Sequence, residues 1–258
     1  MSNIVDYNEQ KIVAGICDIA RSAGKEILDI YQRDFDIQLK SDASPLTEAD
    51  LAAHQIIVTG LKALTPRIPI LSEEDADIDW SVRQTWDQYW LVDPLDGTKE
   101  FIKKNGEFTV NIALIEHGKV TLAVVYAPVL DKLYFSDKSH AFLTSATKSR
   151  ERLRVNKAEK ILKVLGSRSH PSAEMAAYLG KLGDHQLLSV GSSLKFCLIA
   201  EGLANLYPRL GPTMEWDTAA GQGIAERAGA TVCQLDGKIL RYNQKSSLLN
   251  PYFEVKVL

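Results

Sequence analysis

The spacing of apolar residues changes once along the chain, near Thr65 and Pro66, and this change limits the folds open to it. Before it, helical spacing predicts an amphipathic helix from about residue 8 to 32, on the stripe Ile12, Ile16, Ile19, Ala23, Ile27 and Ile30. A second helix is predicted up to Leu64, because Thr47 followed three residues later by Asp50 is a helix start signal. Two helices in sequence are expected to pack as a pair.

After the helices, short apolar runs predict strands at 68–71, 89–92, 108–116, 120–127, 133–135 and 141–143. His117-Gly118-Lys119 separates two of these runs and predicts a hairpin, so this half is expected to be α+β. The polar run 144–160 is the predicted boundary, which divides the chain into residues 1–150 and 151–258. Beyond it, strands at 162–166, 186–190 and 205–207 alternate with helices at 171–182, 191–204 and 216–230, which favours an α/β half.

Composition excludes several classes of protein. The 258 residues are 45% apolar and 24% charged, with a net charge of −3, which argues against a dedicated nucleic-acid coat. Three cysteines without a CxxC pair argue against a disulfide framework. No secretory signal or transmembrane segment is predicted, so we expect a cytoplasmic protein. Peripheral attachment to the cytoplasmic side of the inner membrane and the oligomeric state stay open.

Acidic residues stand directly after buried apolar runs. Glu73 follows the first strand, in ILSEED, and Asp93 and Asp96 follow the next, in WLVDPLDGT. One interpretation of DPLDG is an ordinary turn. However, no arginine is expected to lie nearby and neutralise the three converging acids, and converging carboxylates repel one another and raise each other's pKa. A hard divalent cation would relieve this repulsion, and oxygen ligands favour Mg²⁺ over Zn²⁺.

Other candidates have equally plausible structural roles. Asp217 and Asp50 each stand at a predicted helix start, where an acid often serves only as a cap. Lys195 and Arg209 could be solvated surface charges. Rival catalytic motifs fail, because the chain has no GxxxxGK[ST] and no GxSxG, and the SxxK at 192–195 lacks its partner motifs.

Five motifs follow one another along the chain: LSEED (71–75), DPLDGTKEFI (93–102), NGEFTVNIAL (105–114), GSSLKFC (191–197) and WDTAAG (216–221). In this order they resemble the inositol-monophosphatase superfamily. The resemblance is strongest to its 3′(2′),5′-bisphosphate nucleotidase branch. The charged insertion after DGT is the feature that narrows the resemblance to this branch. The resemblance implies a layered αβαβα sandwich, part α+β and part α/β, in two subdomains with the active site between them.

The resemblance also implies an activity. A protein of this branch is a Mg²⁺-dependent phosphatase that converts adenosine 3′,5′-bisphosphate to AMP and phosphate in sulfur metabolism, and that Li⁺ inhibits. Whether the sulfated nucleotide or the 2′,5′ isomer is also a substrate stays open. One alternative is an inositol or sugar phosphatase of the same superfamily. Another is a non-catalytic sensor of metal or phosphonucleotide.

Roles for single residues follow from the matching motifs. Glu73, Asp93 and the carbonyl of Leu95 resemble the ligands of one Mg²⁺. Asp96 and Asp217 resemble the ligands of a second ion, with Asp93 bridging, and some relatives bind a third. The expected metal ligands are thus Glu73, Asp93, Leu95, Asp96 and Asp217.

The catalytic and substrate-binding roles follow in the same way. Asp50 and Thr98 match the pair that activates the attacking water, and Glu74 is expected to orient a second water. Gly97 and Thr98 are expected to hold the phosphate by their backbone N–H groups. The base or the remaining 5′-phosphate is expected to contact His170, Ser192, Lys195 and Arg209.

Overall fold

The computed structural model describes residues 4–5, 7–35, 37–39, 45–156, 161–168 and 173–257. Both predicted helices are present, as α1 (Glu9–Tyr31) and α2 (Glu48–Leu64). Between them, β1 (Ile37–Leu39) and β2 (Pro45–Thr47) pair antiparallel. The predicted start of α2 is confirmed, because the Asp50 carboxylate accepts a hydrogen bond from the backbone N–H of Thr47 at 2.8 Å.

A seven-stranded sheet follows the helices, in the spatial order β3-β4-β5-β6-β7-β8-β9. Strands β3 and β4 are parallel, and the others form the predicted antiparallel meander. His117 and Gly118, with φ of 48° and 72°, form the two-residue turn of the predicted hairpin. The strands are β3 (Ile70–Ser72), β4 (Gln88–Asp96), β5 (Thr109–Glu116), β6 (Lys119–Ala127), β7 (Lys132–Ser136), β8 (Ala141–Ser145) and β9 (Lys148–Arg152).

Two short helices in this half were not predicted, α3 (Trp80–Arg83) and α4 (Thr98–Ile102). The second half of the chain forms a mixed five-stranded sheet in the order β11-β10-β12-β14-β13. Its first three strands are parallel, as the predicted alternation requires, and the last two pair antiparallel. Its elements are β10 (Leu162–Ser167), α5 (Ala173–Leu179), β11 (His185–Val190), α6 (Leu194–Ala200), β12 (Leu206–Arg209), α7 (Glu215–Ala228), β13 (Thr231–Gln234) and β14 (Phe253–Lys256).

Two hydrophobic cores lie on opposite faces of the seven-stranded sheet. On one face, side chains such as Trp90 and Ile112 pack against α1 and α2. On the other, Leu91 and Ala113 pack with α6, α7 and the five-stranded sheet. This alternation along each strand is what a sheet covered on both faces requires. With α5 beyond the second sheet, the layers are αβαβα, which confirms the expected fold class.

The change from one sheet to the other occurs between Arg152 and Leu162. The proposed division into residues 1–150 and 151–258 therefore falls within β9, and it stays a prediction as a division into subdomains. Among the described residues, no helix combines the length and the apolar character that crossing a membrane requires.

Candidate active site

Carboxylates from both halves of the chain meet in one cavity of about 240 Å³. Glu73, Asp93 and Asp217 each place a carboxylate oxygen so that all three atoms lie within 4.8 Å of one another. Glu73 and Asp93 come from the first sheet, and Asp217 comes from the start of α7. The sequence separates these residues by up to 144 positions, and the fold brings them together.

Parallel pairing of β3 and β4 places Glu73 beside Asp93. The backbone N–H of Glu73 donates to the carbonyl of Val92 at 3.0 Å. This hydrogen bond continues the pairing of β3 with β4 by one residue. The register of β4 against β5 then shifts between Asp93 and Asp96. Such a bulge changes the direction of side chains, which lets both aspartates face the cavity. The backbone N–H of Leu95 donates to Asp93 Oδ1 at 3.0 Å within this bulge.

Asp217 is both a helix cap and a member of the acidic cluster. Its Oδ2 accepts a hydrogen bond from the backbone N–H of Met214 at 2.9 Å, which is the capping role that the sequence allowed. The same carboxylate lies in the cluster with Glu73 and Asp93. The two interpretations of Asp217 are therefore compatible, because the cap fixes the carboxylate that the cavity uses.

The electrostatics of the cluster favour protonation or a bound cation. Burial raises the pKa of Asp93 well above its usual value, and the charge of Glu73 raises it further. Burial likewise raises the pKa of Asp217 well above its usual value, with further contributions from Asp96 and Glu73. A group of oxygen ligands under this repulsion fits a hard divalent cation such as Mg²⁺.

Asp96 lines the cavity beside this group and is held by residues that sequence reasoning missed. Its Oδ2 accepts hydrogen bonds from Ser193 N at 2.6 Å, from Ser193 Oγ at 2.7 Å and from Asn111 Nδ2 at 3.3 Å. Burial raises the pKa of Asp96, while the Lys195 ammonium and these donors act in the opposite direction. Ser193 stands at the start of α6, yet its hydroxyl bonds to Asp96 instead of capping that helix.

The predicted pair of Asp50 and Thr98 is in contact. Thr98 Oγ1 donates to Asp50 Oδ1 at 3.2 Å, and Asp50 Oδ2 accepts from Thr47 Oγ1 at 2.6 Å. Asp50 is 1% exposed and does not line the cavity itself, so its carboxylate meets the cavity only through its hydrogen bond with Thr98. Gly97 precedes Thr98 with a φ of 98°, a conformation that glycine adopts without strain.

The cations Lys195 and Arg209 also line the cavity. Lys195 is 4% exposed and donates from Nζ to the carbonyls of Ser192 at 2.6 Å and Val190 at 3.2 Å, so it is not a solvated surface charge. Burial lowers the pKa of Lys195 to about 8. Arg209 also lines the cavity, and its charge acts to lower the pKa of Asp217. The expectation that no arginine lies near the acids is therefore wrong.

The predicted site residues separate into three groups. Most of them line the one cavity: Glu73, Asp93, Leu95, Asp96, Gly97, Thr98, Ser192, Lys195, Arg209 and Asp217. Asp50 reaches the cavity through Thr98, and Glu74 lies in the turn after β3, outside the cavity lining. His170 lies outside the described residues.

The chain is similar to known proteins over nearly its whole length. The model of the Inositol monophosphatase family matches residues 8–256. The chain is 54% identical over 244 residues to the 3′(2′),5′-bisphosphate nucleotidase CysQ of Escherichia coli strain K12, covering 94% of this chain and 98% of that protein. It is 46% identical over 253 residues to the CysQ of Buchnera aphidicola, covering 96% and 95%.

Solved structures agree on the fold. The crystal structure of CysQ from Bacteroides thetaiotaomicron, described as a bacterial member of the inositol monophosphatase family, superposes with a TM-score of 0.85 at 43% identity, covering 97% of this chain and 98% of that one. The Thermotoga maritima IMPase superposes with a TM-score of 0.79 at 22% identity, covering 95% and 91%, which shows the shared fold alone.

Proposed function

Because the chain belongs to the inositol monophosphatase family, we propose that it is a Mg²⁺-dependent phosphatase that hydrolyses adenosine 3′,5′-bisphosphate to AMP and phosphate. The observation that carries this proposal is that acidic and basic side chains line the same cavity. The acids Glu73, Asp93 and Asp217 form a cluster in this cavity, and the cations Lys195 and Arg209 line the same cavity. The similarity to the CysQ nucleotidases supports the same assignment.

The acidic residues would hold the metal ions. Glu73, Asp93 and the carbonyl of Leu95 would hold one Mg²⁺, and Asp96 and Asp217 a second, with Asp93 shared. Bound there, Mg²⁺ supplies a positive charge for the phosphoryl oxygens and lowers the pKa of a water molecule. Glu73, Asp93 and Asp217 then no longer repel one another, so the metal is also expected to stabilise the cavity.

Thr98 is positioned to handle the proton of the attacking water. Its hydroxyl donates to Asp50, so the lone pairs of Oγ1 are available to accept a proton from the cavity side. As Oγ1 accepts that proton, the hydroxyl proton of Thr98 would pass to the buried Asp50 carboxylate, whose other oxygen accepts a hydrogen bond from Thr47. The backbone N–H groups of Gly97 and Thr98 would hold the phosphate oxygens.

Two positive charges suit a substrate with a second phosphate. Lys195 and Arg209 would hold the 5′-phosphate, while Ser192 and His170 would complete the nucleotide contacts. An inositol or sugar monophosphate has no second phosphate that Lys195 and Arg209 could bind. A non-catalytic sensor would have no use for the hydrogen bond between Asp50 and Thr98.

Initial rates of phosphate release test the proposal. Adenosine 3′,5′-bisphosphate, inositol 1-phosphate and fructose 1,6-bisphosphate are compared side by side, with Mg²⁺ and with a chelator. We expect rapid release from the nucleotide in Mg²⁺ alone. Faster release from inositol 1-phosphate or from the sugar bisphosphate would contradict the proposed substrate, and release unaffected by the chelator would contradict the metal requirement.

A further inference from the structure

A charged cluster joins the two halves of the chain at the edge of the cavity, and the mechanism above does not use it. At its centre is Glu107, between α4 and β5. Glu107 Oε2 accepts hydrogen bonds from Arg168 Nε at 2.7 Å and from the backbone N–H of Gly191 at 2.8 Å. Glu107 Oε1 accepts from Arg168 Nη2 at 2.7 Å. One carboxylate of the first half thus holds two segments of the second.

The two segments that Glu107 holds are the carboxyl ends of neighbouring strands. Arg168 directly follows β10 and Gly191 directly follows β11, and these strands are parallel, so their ends meet at one sheet edge. Arg168 Nη2 also donates to the carbonyl of Ser189 at 2.7 Å, which ties the two ends to each other. Glu107 therefore fixes this edge of the second sheet against the first half.

The backbone of Glu107 is packed as closely as its side chain. A Cβ added at Gly191 would lie 2.8 Å from the carbonyl oxygen of Glu107 and 2.7 Å from Cγ of Glu100. A Cβ added at Gly97 would lie 3.2 Å from the same carbonyl oxygen. Glu107 thus contacts both the turn expected to hold the phosphate and the turn that leads to Ser192.

The segment after Gly191 carries the residues proposed to recognise the nucleotide. Ser192 has a φ of 46°, a strained conformation for a residue with a Cβ, which surrounding contacts must maintain. Lys195 Nζ donates to the carbonyl of Ser192, so the position of the ammonium depends on this turn. A change at Gly191 would therefore move the cation that faces the substrate.

We propose that Glu107 is a positioning residue for substrate specificity, which holds residues 191–195 where Ser192 and Lys195 meet the 5′-phosphate. This inference rests on the proposed function. The side chains of Arg168 and Glu107 are 46% and 23% exposed, and ion pairs this exposed contribute little to stability. The carboxylate is therefore expected to act on substrate binding more than on folding.

The variant Glu107→Gln keeps the shape of the side chain and removes its charge. For the wild type and the variant, kcat and KM are measured with adenosine 3′,5′-bisphosphate and with 3′-AMP, which lacks the 5′-phosphate. We expect the preference for the bisphosphate, as a ratio of kcat/KM values, to fall about tenfold through KM, the effect of weakening one charge-assisted hydrogen bond. Glu151→Gln, at an exposed ion pair with Lys148 on β9, is the matched control and should leave the ratio unchanged.

Hydrogen exchange of the backbone supplies a readout independent of turnover. In Glu107→Gln we expect the peptide that covers residues 189–196 to exchange faster, because the Gly191 N–H loses its charged acceptor. Unchanged exchange there, or an equal loss of kcat/KM for both nucleotides, would overturn the inference. A wild type that releases no phosphate from the bisphosphate would contradict the proposed function, and the exchange result would then decide on Glu107 by itself.

Discussion

At the scale of single residues, Asp93, Asp96 and Asp217 are each oriented by a donor of their own. The backbone N–H of Leu95 holds Asp93, and that of Met214 holds Asp217. Asp96 relies on Ser193, whose backbone N–H and hydroxyl both donate to one carboxylate oxygen. Such donors leave the second oxygen of each carboxylate for the cavity, which is how protein metal ligands are commonly fixed.

Asp96→Asn tests the assignment of metal ligands. The amide keeps the size of the side chain but removes its charge, so we expect the variant to fold. Loss of a group that only orients a metal ligand already lowers metal affinity or activity about 10- to 100-fold. We therefore expect turnover to fall by about 100-fold or more. Phosphate release is measured at saturating Mg²⁺, with circular dichroism as the control for folding. A rate close to that of the wild type would show that Asp96 is not a metal ligand.

Lys195→Met tests the recognition of the second phosphate. Methionine fills the buried space without the charge, and we expect binding of adenosine 3′,5′-bisphosphate to weaken by about 1.5–3 kcal/mol, the usual contribution of a charge-assisted hydrogen bond. KM is compared with that for 3′-AMP, for which a much smaller change is expected. Lys238→Met, at an exposed lysine, is the control. The same loss for both nucleotides would argue against Lys195 as a specificity residue.

Sequence reasoning found the acids of the cavity but not the residues that orient them. Glu73, Asp93 and Asp96 stand directly after apolar runs, where charge is unexpected, and the motif WDTAAG indicates Asp217 by its resemblance to the family. Asn111 lies within a buried strand, and Ser193 is one of two adjacent serines, so neither has a pattern that separates it from a structural residue. Only the pairing of β4 with β5 and the start of α6 show that both face Asp96.

At the scale of elements, α6 and α7 form the layer that supports the cavity from behind. Their contact depends on a small residue, because a Cβ added at Gly221 of α7 would lie 2.5 Å from the ring of Phe196 in α6. The same ring packs against Tyr207 and Phe253 of the second sheet, with centroids 5.4 and 5.9 Å away. Phe196 therefore has little room to move.

Gly221→Ala is expected to destabilise the protein. Overpacking against Phe196 destabilises the fold by about 1–3 kcal/mol. The higher helix propensity of alanine offsets up to about 1 kcal/mol of this. We therefore expect the free energy of unfolding to fall by about 1–2 kcal/mol. Denaturant titration measures it. Gly183→Ala, where an added Cβ meets nothing within 4 Å, is the control and should change little. An unchanged midpoint for Gly221→Ala would contradict the packing described.

The long elements could be predicted from the sequence, whereas several of the short ones could not. The stripe of α1 and the continuous apolar runs of β4, β5 and β6 give clear signals, and these elements contribute to the two cores. Strands β13 (Thr231–Gln234) and β14 (Phe253–Lys256) have four residues each and depend on pairing with one another and with β12. The helix predicted at 191–204 is shorter, because the positive φ of Ser192 delays its start until Leu194.

At the scale of the whole molecule, the cavity places buried negative charge between the two sheets. Burial raises the pKa values of Asp93 and Asp217 well above normal, and it raises the pKa of the neighbouring Glu215 to about 7. An acid with a raised pKa in the folded state binds its proton more tightly when folded. The stability that this proton provides is complete at acidic pH and is lost as pH rises through the folded-state pKa values.

Metal removal should therefore make stability depend on pH. In a chelator, we expect Tm to fall as pH rises from about 5 to 8. Mg²⁺ should restore Tm most strongly at pH 8, because the carboxylates are then ionised. A ligand at 100 times its Kd adds about 2.7 kcal/mol to the free energy of unfolding. Differential scanning fluorimetry measures both effects. Asp217→Asn should show a shallower pH dependence. A Tm that rises with pH in chelator, or that does not respond to Mg²⁺, would contradict this description.

We propose that Glu73, Asp93, Asp96 and Asp217 line one cavity because divalent cations lie between them and the phosphate to be cleaved. A crystal grown with Mn²⁺, whose anomalous signal locates it, and with adenosine 3′,5′-bisphosphate tests this most directly. We expect anomalous peaks among these four side chains, with the 3′-phosphate beside them and the 5′-phosphate near Lys195 and Arg209. Bound nucleotide without an anomalous peak at the carboxylates, or with its 3′-phosphate away from them, would contradict it.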